Sequence, residues 1–279
     1  MLRSPAVAGR FYPAQPAALE RTVRSLLQAE CPPLAPAPFR ACLVPHAGYE
    51  YSGHVAASVY SRIAIPSRVI ILGVRHFPRG ESAAIPSAVP WSTPLGTAQI
   101  QAALAGELLA FCPPLREDDV AHATEHSIEV QLPFLQVLRP DFSFVPIVLG
   151  TLRFEELESI GIGLAQILRK HEEVLLLTTS DLNHYEDEAT TREKDRKAID
   201  KLLMLDASGL YETCLREQIS MCGLSPAVVL LTALRQLGGI KAELVRHATS
   251  GDVSKDRDAV VGYAGMLFEQ ESASLRTND

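Results

Sequence analysis

Three histidines in this chain stand just after short apolar runs. The runs are residues 41–45, 69–73 and 173–179, and the histidines that follow them are His46, His76 and His184. Apolar runs of about four to eight residues are typical of buried strands, and open α/β sheets bind ligands outside the carboxyl ends of parallel strands. The pattern therefore predicts that side chains roughly 100 residues apart in sequence meet in one crevice.

Strand and helix patterns alternate along the chain. Strand patterns occupy 41–45, 69–73, 142–148, 173–179, 241–247 and 259–268, and helical patterns occupy 14–30, 53–63, 97–111, 127–138, 154–169, 188–205 and 226–237. This alternation predicts an α/β fold, a three-layer sandwich with helices on both faces of a mixed, mostly parallel sheet. Ser225 and Pro226 are typical of the cap and first residue of the last helix. We see no repeat or domain boundary, so residues 1–279 are interpreted as a single domain.

Composition excludes several classes of protein. There are 26 basic and 33 acidic residues, a net charge of −7 with no basic block, which disfavours nucleic-acid binding. No apolar stretch approaches the roughly 18 residues that a membrane span needs. The chain has 5 cysteines, an odd number without a Cys-x-x-Cys pair, which is typical of reduced thiols in a cytoplasmic protein.

Several side chains near the strand ends could carry chemistry. His46 precedes a glycine turn and His76 follows Arg75, whose cation could bind an anion or face solvent. Asp181 and His184 are spaced i, i+3, so that one helical turn would let the carboxylate orient or charge the imidazole. Buried histidines bonded to backbone, and an aspartate that caps the next helix, are the plainer interpretations.

Cys222 and Asp252 extend this set. Cys222 lies just before a helix, where the helix dipole would favour its thiolate, although a lone cysteine is more often a small buried apolar residue. Asp252 belongs to the turn 249–252, which could close over a site or be an ordinary tight turn.

Residues 122–126 match the H-x-x-E-H pattern of inverted zinc proteases. That motif needs both histidines one turn apart in a single helix, whereas the apolar helical stripe here begins only at Ile128. We therefore expect Glu125 and His126 to support the main crevice by hydrogen bonds, or to cap the helix, rather than to form a protease site.

Long motifs along the chain resemble the Memo family, whose prokaryotic members are often called AmmeMemoRadiSam system protein B. The motifs are residues 5–13, 44–53, 125–133, 180–185, 222–223 and 249–252. The resemblance implies a fold like that of class III extradiol dioxygenases, with nonheme iron at the carboxyl edge of the sheet. It also implies that His46, His76 and Cys222 are metal ligands and that His184, beside Asp181, occupies the acid–base position.

The proposed ligands differ from those of the extradiol enzymes, which use a carboxylate where this chain has Cys222. A thiolate softens the site, so iron (Fe2+) is the expected ion and copper or zinc are alternatives. The chain also has Arg75 where the family usually has a small polar residue, and a guanidinium that pointed inward would weaken metal binding.

Three functions follow from these residues. The first is iron- or copper-dependent oxidation of an unknown small molecule, with His184 moving a proton. The second is a non-catalytic module in which Arg75, His46 and His184 bind phosphate or an acidic peptide. The third is metal-free nucleophilic catalysis by Cys222 and His184. The resemblance also implies a functional link to AMMECR-type and radical-SAM proteins.

Overall fold

The computed structural model describes residues 2–30, 35–150 and 153–271. The strands are β1 (Ala41–Val44), β2 (Arg68–Val74), β3 (Ala83–Ile85), β4 (Trp91–Thr93), β5 (Gly96–Ile100), β6 (Arg116–Glu117), β7 (Ser143–Leu149), β8 (Leu175–Thr179), β9 (Asp181–Glu186), β10 (Ile240–Thr249) and β11 (Val260–Gln270). The helices are α1 (Pro16–Ala29), α2 (Tyr49–Tyr60), α3 (Ala102–Phe111), α4 (Leu132–Leu138), α5 (Phe154–Lys170), α6 (Glu188–Leu203), α7 (Ala207–Arg216), α8 (Leu224–Leu237) and α9 (Gly251–Ser254).

Four parallel strands form the centre of one mixed sheet. The main path runs β10-β11-β1-β8-β2-β7-β3-β6, and β1, β8, β2 and β7 are parallel neighbours along it. The flanks are antiparallel where β11 pairs with β1, β9 and β10, and where β3 pairs with β7. The expected mixed sheet is confirmed, with its parallel part concentrated at the centre.

Side chains alternate between the two faces along each buried strand, so both faces of the sheet are apolar, and helices cover both of them. Leu43 and Ile70 face a core that includes residues of α3, α5, α6, α7 and α8, whereas Cys42 and Ile71 face a core with residues of α1, α2 and α4. The α/β sandwich predicted from the sequence is confirmed.

Three local predictions were wrong. The predicted helix 97–111 begins at Ala102, because residues 96–100 form β5, which pairs with β4 and β7. Residues 181–186 form a strand against β11 rather than a loop. Helix α8 begins at Leu224, so Ser225 is inside the helix, and Gly223 occupies the cap position without a side-chain hydrogen bond.

Within the ranges described, no helix is long and apolar enough to cross a membrane. Cys42, Cys112, Cys214 and Cys222 are free thiols, as the composition predicts, while Cys31 falls outside those ranges.

Candidate functional site

A cavity of about 720 Å3 opens where strands β1, β8 and β2 end. These three strands are parallel neighbours, so the residues that follow them share one edge of the sheet. The predicted residues that line the cavity are His46, His76, His126, Asp181, His184 and Cys222. The prediction from strand-end histidines therefore locates the main crevice of the molecule.

His46 lies at the buried base of this cavity, with 2% of its surface exposed. Its Nδ1 is 2.9 Å from Thr179 Oγ1, and that hydroxyl also accepts a hydrogen bond of 3.1 Å from Gln131 Nε2. Which of the two groups donates depends on the imidazole tautomer: with its proton on Nδ1, the ring would leave the Nε2 lone pair directed to Cys222 and the cavity. Burial lowers the pKa of His46 well below its ordinary value, and the nearby His76 and His126 lower it further. The ring is therefore neutral, and an imidazole in this form can give the electron pair of one nitrogen to a metal ion.

Cys222 and Asp181 lie beside His46. Cys222 Sγ is 3.2 Å from His46 Nε2, and the Asp181 backbone N–H donates to this sulfur at 3.3 Å. Asp181 Oδ1 accepts the His46 backbone N–H at 2.8 Å, and Oδ2 is 4.0 Å from His46 Nε2. Burial raises the pKa of both groups, and the Asp181 carboxylate raises that of Cys222 further. A cation bound here would favour the ionised forms of both groups.

Glu125 fixes the opposite wall of the cavity. Its carboxylate accepts from His76 Nδ1 at 2.9 Å and from the backbone N–H groups of His76, His126 and Ser127 at 2.7, 2.7 and 2.8 Å. Burial raises the pKa of Glu125, but the hydrogen bond from His76 and the nearby imidazoles outweigh burial and lower it to about 2. The resulting carboxylate holds the Nδ1 proton of His76, so Nε2 is free to bind a metal, as in carboxylate–histidine–metal arrangements.

His126 lies directly in the cavity wall, whereas the sequence predicts only a supporting role for it. Its ring stacks on His76 at 4.5 Å between centroids and lies edge-on to Phe11 at 4.8 Å. Burial lowers the pKa of His126, so this ring also presents a neutral nitrogen.

His184 stands on the cavity wall at the far side of Asp181. Its Nδ1 is 2.9 Å from the Ser220 carbonyl oxygen, which can only accept, so Nδ1 carries the proton and Nε2 has a free lone pair. The expected contact with Asp181 is not formed among the described residues, because β9 is extended and Asp181 bonds instead to the His46 backbone. The Ser220 carbonyl, and not Asp181, sets the tautomer of His184.

Arg75 and Asp252, like Glu125, are predicted supporting residues that do not line the cavity. The Arg75 guanidinium turns to the carbonyl oxygens of Arg79 and Gly80, at 3.3 and 2.9 Å. The Asp252 carboxylate accepts from the Thr249 N–H at 3.0 Å and pairs with Arg192 at 3.2 Å. Asp252 therefore stabilises the turn that carries Ser250 to the cavity.

The inverted zinc-protease motif is not assembled. His122 lies in a separate 3-10 turn, Val120–His122, and its Nε2 is 3.1 Å from the Ala84 carbonyl oxygen. His126 instead lines the cavity, and Glu125 lies behind it, hydrogen-bonded to His76.

Sequence reasoning missed Glu129, which ties the amino-terminal segment to the cavity. The buried Glu129 carboxylate pairs with Arg3 at 2.7 Å and accepts from the Tyr12 hydroxyl at 2.6 Å and from the N–H groups of Ala6 and Val7. This clamp places Arg10 and Phe11 in the cavity wall. No pattern near Glu129 signals this role, because its partners are more than 115 residues away, with separations of 117 to 126.

The donor atoms fall into two groups with a common member. His46, His76 and His126 present ligand atoms within 4.8 Å of one another, and so do His46, Asp181 and Cys222. His76 and Cys222, predicted as ligands of one ion with His46, fall in different groups. One group offers three imidazoles and the other an imidazole, a carboxylate and a thiol, all of which are donors that suit iron, copper or zinc, so the residues fit such an ion.

The fold and cavity together define an α/β sandwich protein with a histidine-, aspartate- and cysteine-lined cavity at the carboxyl edge of its central sheet. The family model described as Memo-like protein matches residues 3–267. This chain is 41% identical to a MEMO1 family protein of Ignicoccus hospitalis and 37% identical to one of Methanopyrus kandleri, and these alignments cover 96% and 97% of this chain and 99% and 100% of the relatives. The chain belongs to the Memo family.

A solved structure supports the fold independently. An uncharacterized protein from Escherichia coli K12 superposes with a TM-score of 0.53 over 82% of this chain and 99% of its own. The two sequences are 12% identical, so this likeness concerns the fold alone.

Proposed function

We propose that this Memo family protein is a metal-dependent redox enzyme that acts on a small molecule in the cavity. His46 carries the proposal, because its buried, neutral Nε2 belongs to both donor groups. Fe2+ is the proposed ion, and copper or zinc are the alternatives that the same donors accept. When bound, iron or copper would supply one-electron oxidation and reduction.

The residues of the chain would divide the work of this site. His46 and His76 would hold the ion, and Cys222, which lies with His46 in the other donor group, would complete the ligand set by moving toward His76; Glu125 orients His76. His184 would accept or deliver a proton at Nε2, because its other nitrogen is occupied by Ser220. Phe11 and the carbon atoms of the cavity wall would exclude water from the reacting groups.

Non-catalytic binding of a phosphate or acidic peptide is the second candidate. Arg75, which the sequence predicts to bind the anion, instead donates hydrogen bonds to backbone carbonyl oxygens outside the cavity. Arg10 keeps the candidate open, because it lines the cavity and is exposed there. Without a metal, Arg10 and His184 would be the groups that meet such an anion.

Metal content tests the proposal directly. We expect near-stoichiometric iron or copper by mass spectrometry in protein purified anaerobically, and its loss in the double variant His46→Ala, Cys222→Ser. Cys214→Ser is the matched control, because Cys214 belongs to α7 and is buried in the core rather than in the cavity. Oxygen consumption with panels of catechols and thiols then follows in the metal-loaded protein.

Two results would contradict the proposal: metal retained by the double variant, or no metal in wild-type protein even after anaerobic reconstitution with Fe2+. In the second case, titration of wild-type protein and Arg10→Ala with phosphopeptides would test the binding module.

A further inference from the structure

His184 lies at an irregular point of the sheet. Its strand β9 pairs with β11, but the register shifts on both sides of the pair Val261–His184. The next residue, Tyr185, has φ of 59°, a left-handed conformation that is sterically unfavourable for a non-glycine residue. Regular pairing between β9 and β11 therefore does not by itself fix the orientation of the His184 ring.

Ser220 grips His184 at two atoms. The His184 backbone N–H donates to Ser220 Oγ at 2.8 Å, and Nδ1 donates to the Ser220 carbonyl oxygen at 2.9 Å. The Ser220 hydroxyl then donates its single proton to Asn183 Oδ1 at 3.1 Å, and the Ser220 backbone N–H donates to the same oxygen at 3.1 Å. The hydroxyl, the backbone N–H and the carbonyl oxygen of Ser220 are therefore all hydrogen-bonded to residues of β9.

Asn183 is fixed in turn by a second set of contacts. Its side chain is fully buried, and its Nδ2 donates to Glu186 Oε2 at 2.6 Å. Its backbone N–H donates to Asp195 Oδ1 at 2.9 Å, while Asp195 Oδ2 pairs with His247 Nε2 at 2.7 Å. The Asp195 carboxylate packs directly against Gly262, where a Cβ atom would lie 1.9 Å from Oδ2.

We propose that Ser220 and Asn183 are positioning residues that hold His184 with its proton on Nδ1 and its Nε2 lone pair toward the cavity. Asp195 and His247 anchor this network from α6 and β10. The inference rests on the proposed function for the catalytic meaning of His184, but the hydrogen-bond geometry defines a tautomer that does not depend on a metal. A general base needs one ring nitrogen with a free lone pair, and this network supplies it.

Nitrogen-15 NMR of the histidine rings tests the proposal in the full-length protein after treatment with a chelator, which removes paramagnetic ions. The His184 signals are assigned by their absence in His184→Gln. We expect wild-type His184 to show a protonated Nδ1 and an unprotonated Nε2. In Ser220→Ala and Asn183→Ala we expect a mixture of both tautomers, and in Ser220→Thr, which keeps the hydroxyl, the wild-type pattern. Ser208→Ala, a serine at the exposed start of α7, is the control.

The outcomes separate this inference from the proposed function. Ser220 is near Cys222 in sequence, so metal content is measured for Ser220→Ala as well, and we expect it to equal that of wild-type protein. A wild-type ring protonated on Nε2, or an unchanged His184 pattern in both alanine variants, would overturn the inference. A loss of metal from Ser220→Ala would also overturn it, because the change would then reflect a moved Cys222 segment. Absence of metal from every variant would contradict only the proposed function.

Discussion

His122 is a buried histidine without a charged partner. Its Nε2 meets the Ala84 carbonyl oxygen at 3.1 Å, whereas its buried Nδ1 has no hydrogen-bond partner among the described residues. Burial lowers the pKa of His122 to about 4, although the contact with Ala84 raises it slightly. The ring is therefore folded into the molecule in its neutral form.

This burial predicts a pH dependence of stability. The folded-state pKa of His122 is about 4, below its ordinary value of 6.5, so at intermediate pH the unfolded chain binds a proton that the folded chain lacks. Its contribution to stability is complete above pH 6.5 and is lost as the pH falls toward 4, by roughly 3 kcal/mol at most.

Urea unfolding of wild-type protein and His122→Gln from pH 7.5 to 4.5 measures the effect. The glutamine amide can still donate to Ala84 but does not titrate, so its free energy of unfolding should fall less over this range. Both proteins should show the same dependence above pH 7. Parallel curves throughout would show that His122 is not the titrating group.

The strained backbone of Tyr185 gives a second prediction at this scale. The side chain is 76% exposed at the cavity rim, so little packing opposes its removal. Tyr185→Ala and Tyr185→Gly both delete the ring, but only glycine adopts φ of 59° without a steric cost. We expect Tyr185→Gly to be more stable than Tyr185→Ala by about 1 kcal/mol in urea unfolding. Equal stability would mean that the surroundings impose no strain at this residue.

Elements bring the site together at strand ends, and this part was predictable from the sequence. His46 and His76 follow apolar runs of β1 and β2, and parallel strands present their carboxyl ends at one edge. The role of β9 was not predictable, because its partner β11 lies far along the chain and pairing depends on contacts that no local pattern encodes. For the same reason the i, i+3 spacing of Asp181 and His184 suggested a helical turn that does not form.

The approach of α8 to β8 positions Cys222. The Gly223 N–H donates to Ser180 Oγ at 3.0 Å, and a Cβ atom on Gly223 would lie 2.3 Å from the Ser180 Cβ. This contact leaves no space for a side chain and sets the distance of Cys222 from His46.

Gly223→Ala should therefore damage both stability and the site. We expect a loss of about 1–3 kcal/mol in the free energy of unfolding, since the helix start must move away from β8. Metal content should fall with it, because Cys222 moves away from His46. Gly106→Ala is the matched control: a Cβ at this exposed position in α3 meets nothing within 4 Å, so alanine should stabilise the helix by about 0.5–1 kcal/mol. Unchanged metal content and stability in Gly223→Ala would show that the contact can relax freely.

At the scale of the whole molecule, one sheet contributes side chains to both hydrophobic cores. Strands β1, β2 and β8 contribute alternate side chains to the two faces, and the single domain over residues 1–279 stays a prediction. The amino-terminal segment reaches the cavity through Arg10 and Phe11, and Glu129 is the group that holds this segment. The sequence could indicate the crevice but not this clamp, because a buried glutamate in an apolar stretch has no local signature that distinguishes it from an exposed one.

The Glu129 clamp predicts how strongly the amino-terminal segment is coupled to the rest of the fold. Glu129→Gln removes the anion that Arg3 faces and leaves a guanidinium that is mostly buried without its ion-pair partner. Loss of one partner from a buried pair costs about 3–5 kcal/mol, which urea unfolding will measure. Glu20→Gln breaks an exposed i, i+4 pair with Arg24 and should cost less than about 0.5 kcal/mol.

The fluorescence of Trp91 can show whether Glu129→Gln releases the amino-terminal segment before the rest of the protein unfolds. The Arg3 guanidinium lies 4.1 Å from the Trp91 ring centroid, so release of the segment should change tryptophan fluorescence at denaturant concentrations below the main unfolding transition seen by circular dichroism. If instead both signals change together and the loss of stability is large, the clamp is part of a single cooperative core. A loss no greater than that of Glu20→Gln would mean that the hydrogen bonds from Tyr12 and the backbone hold the segment without the charge.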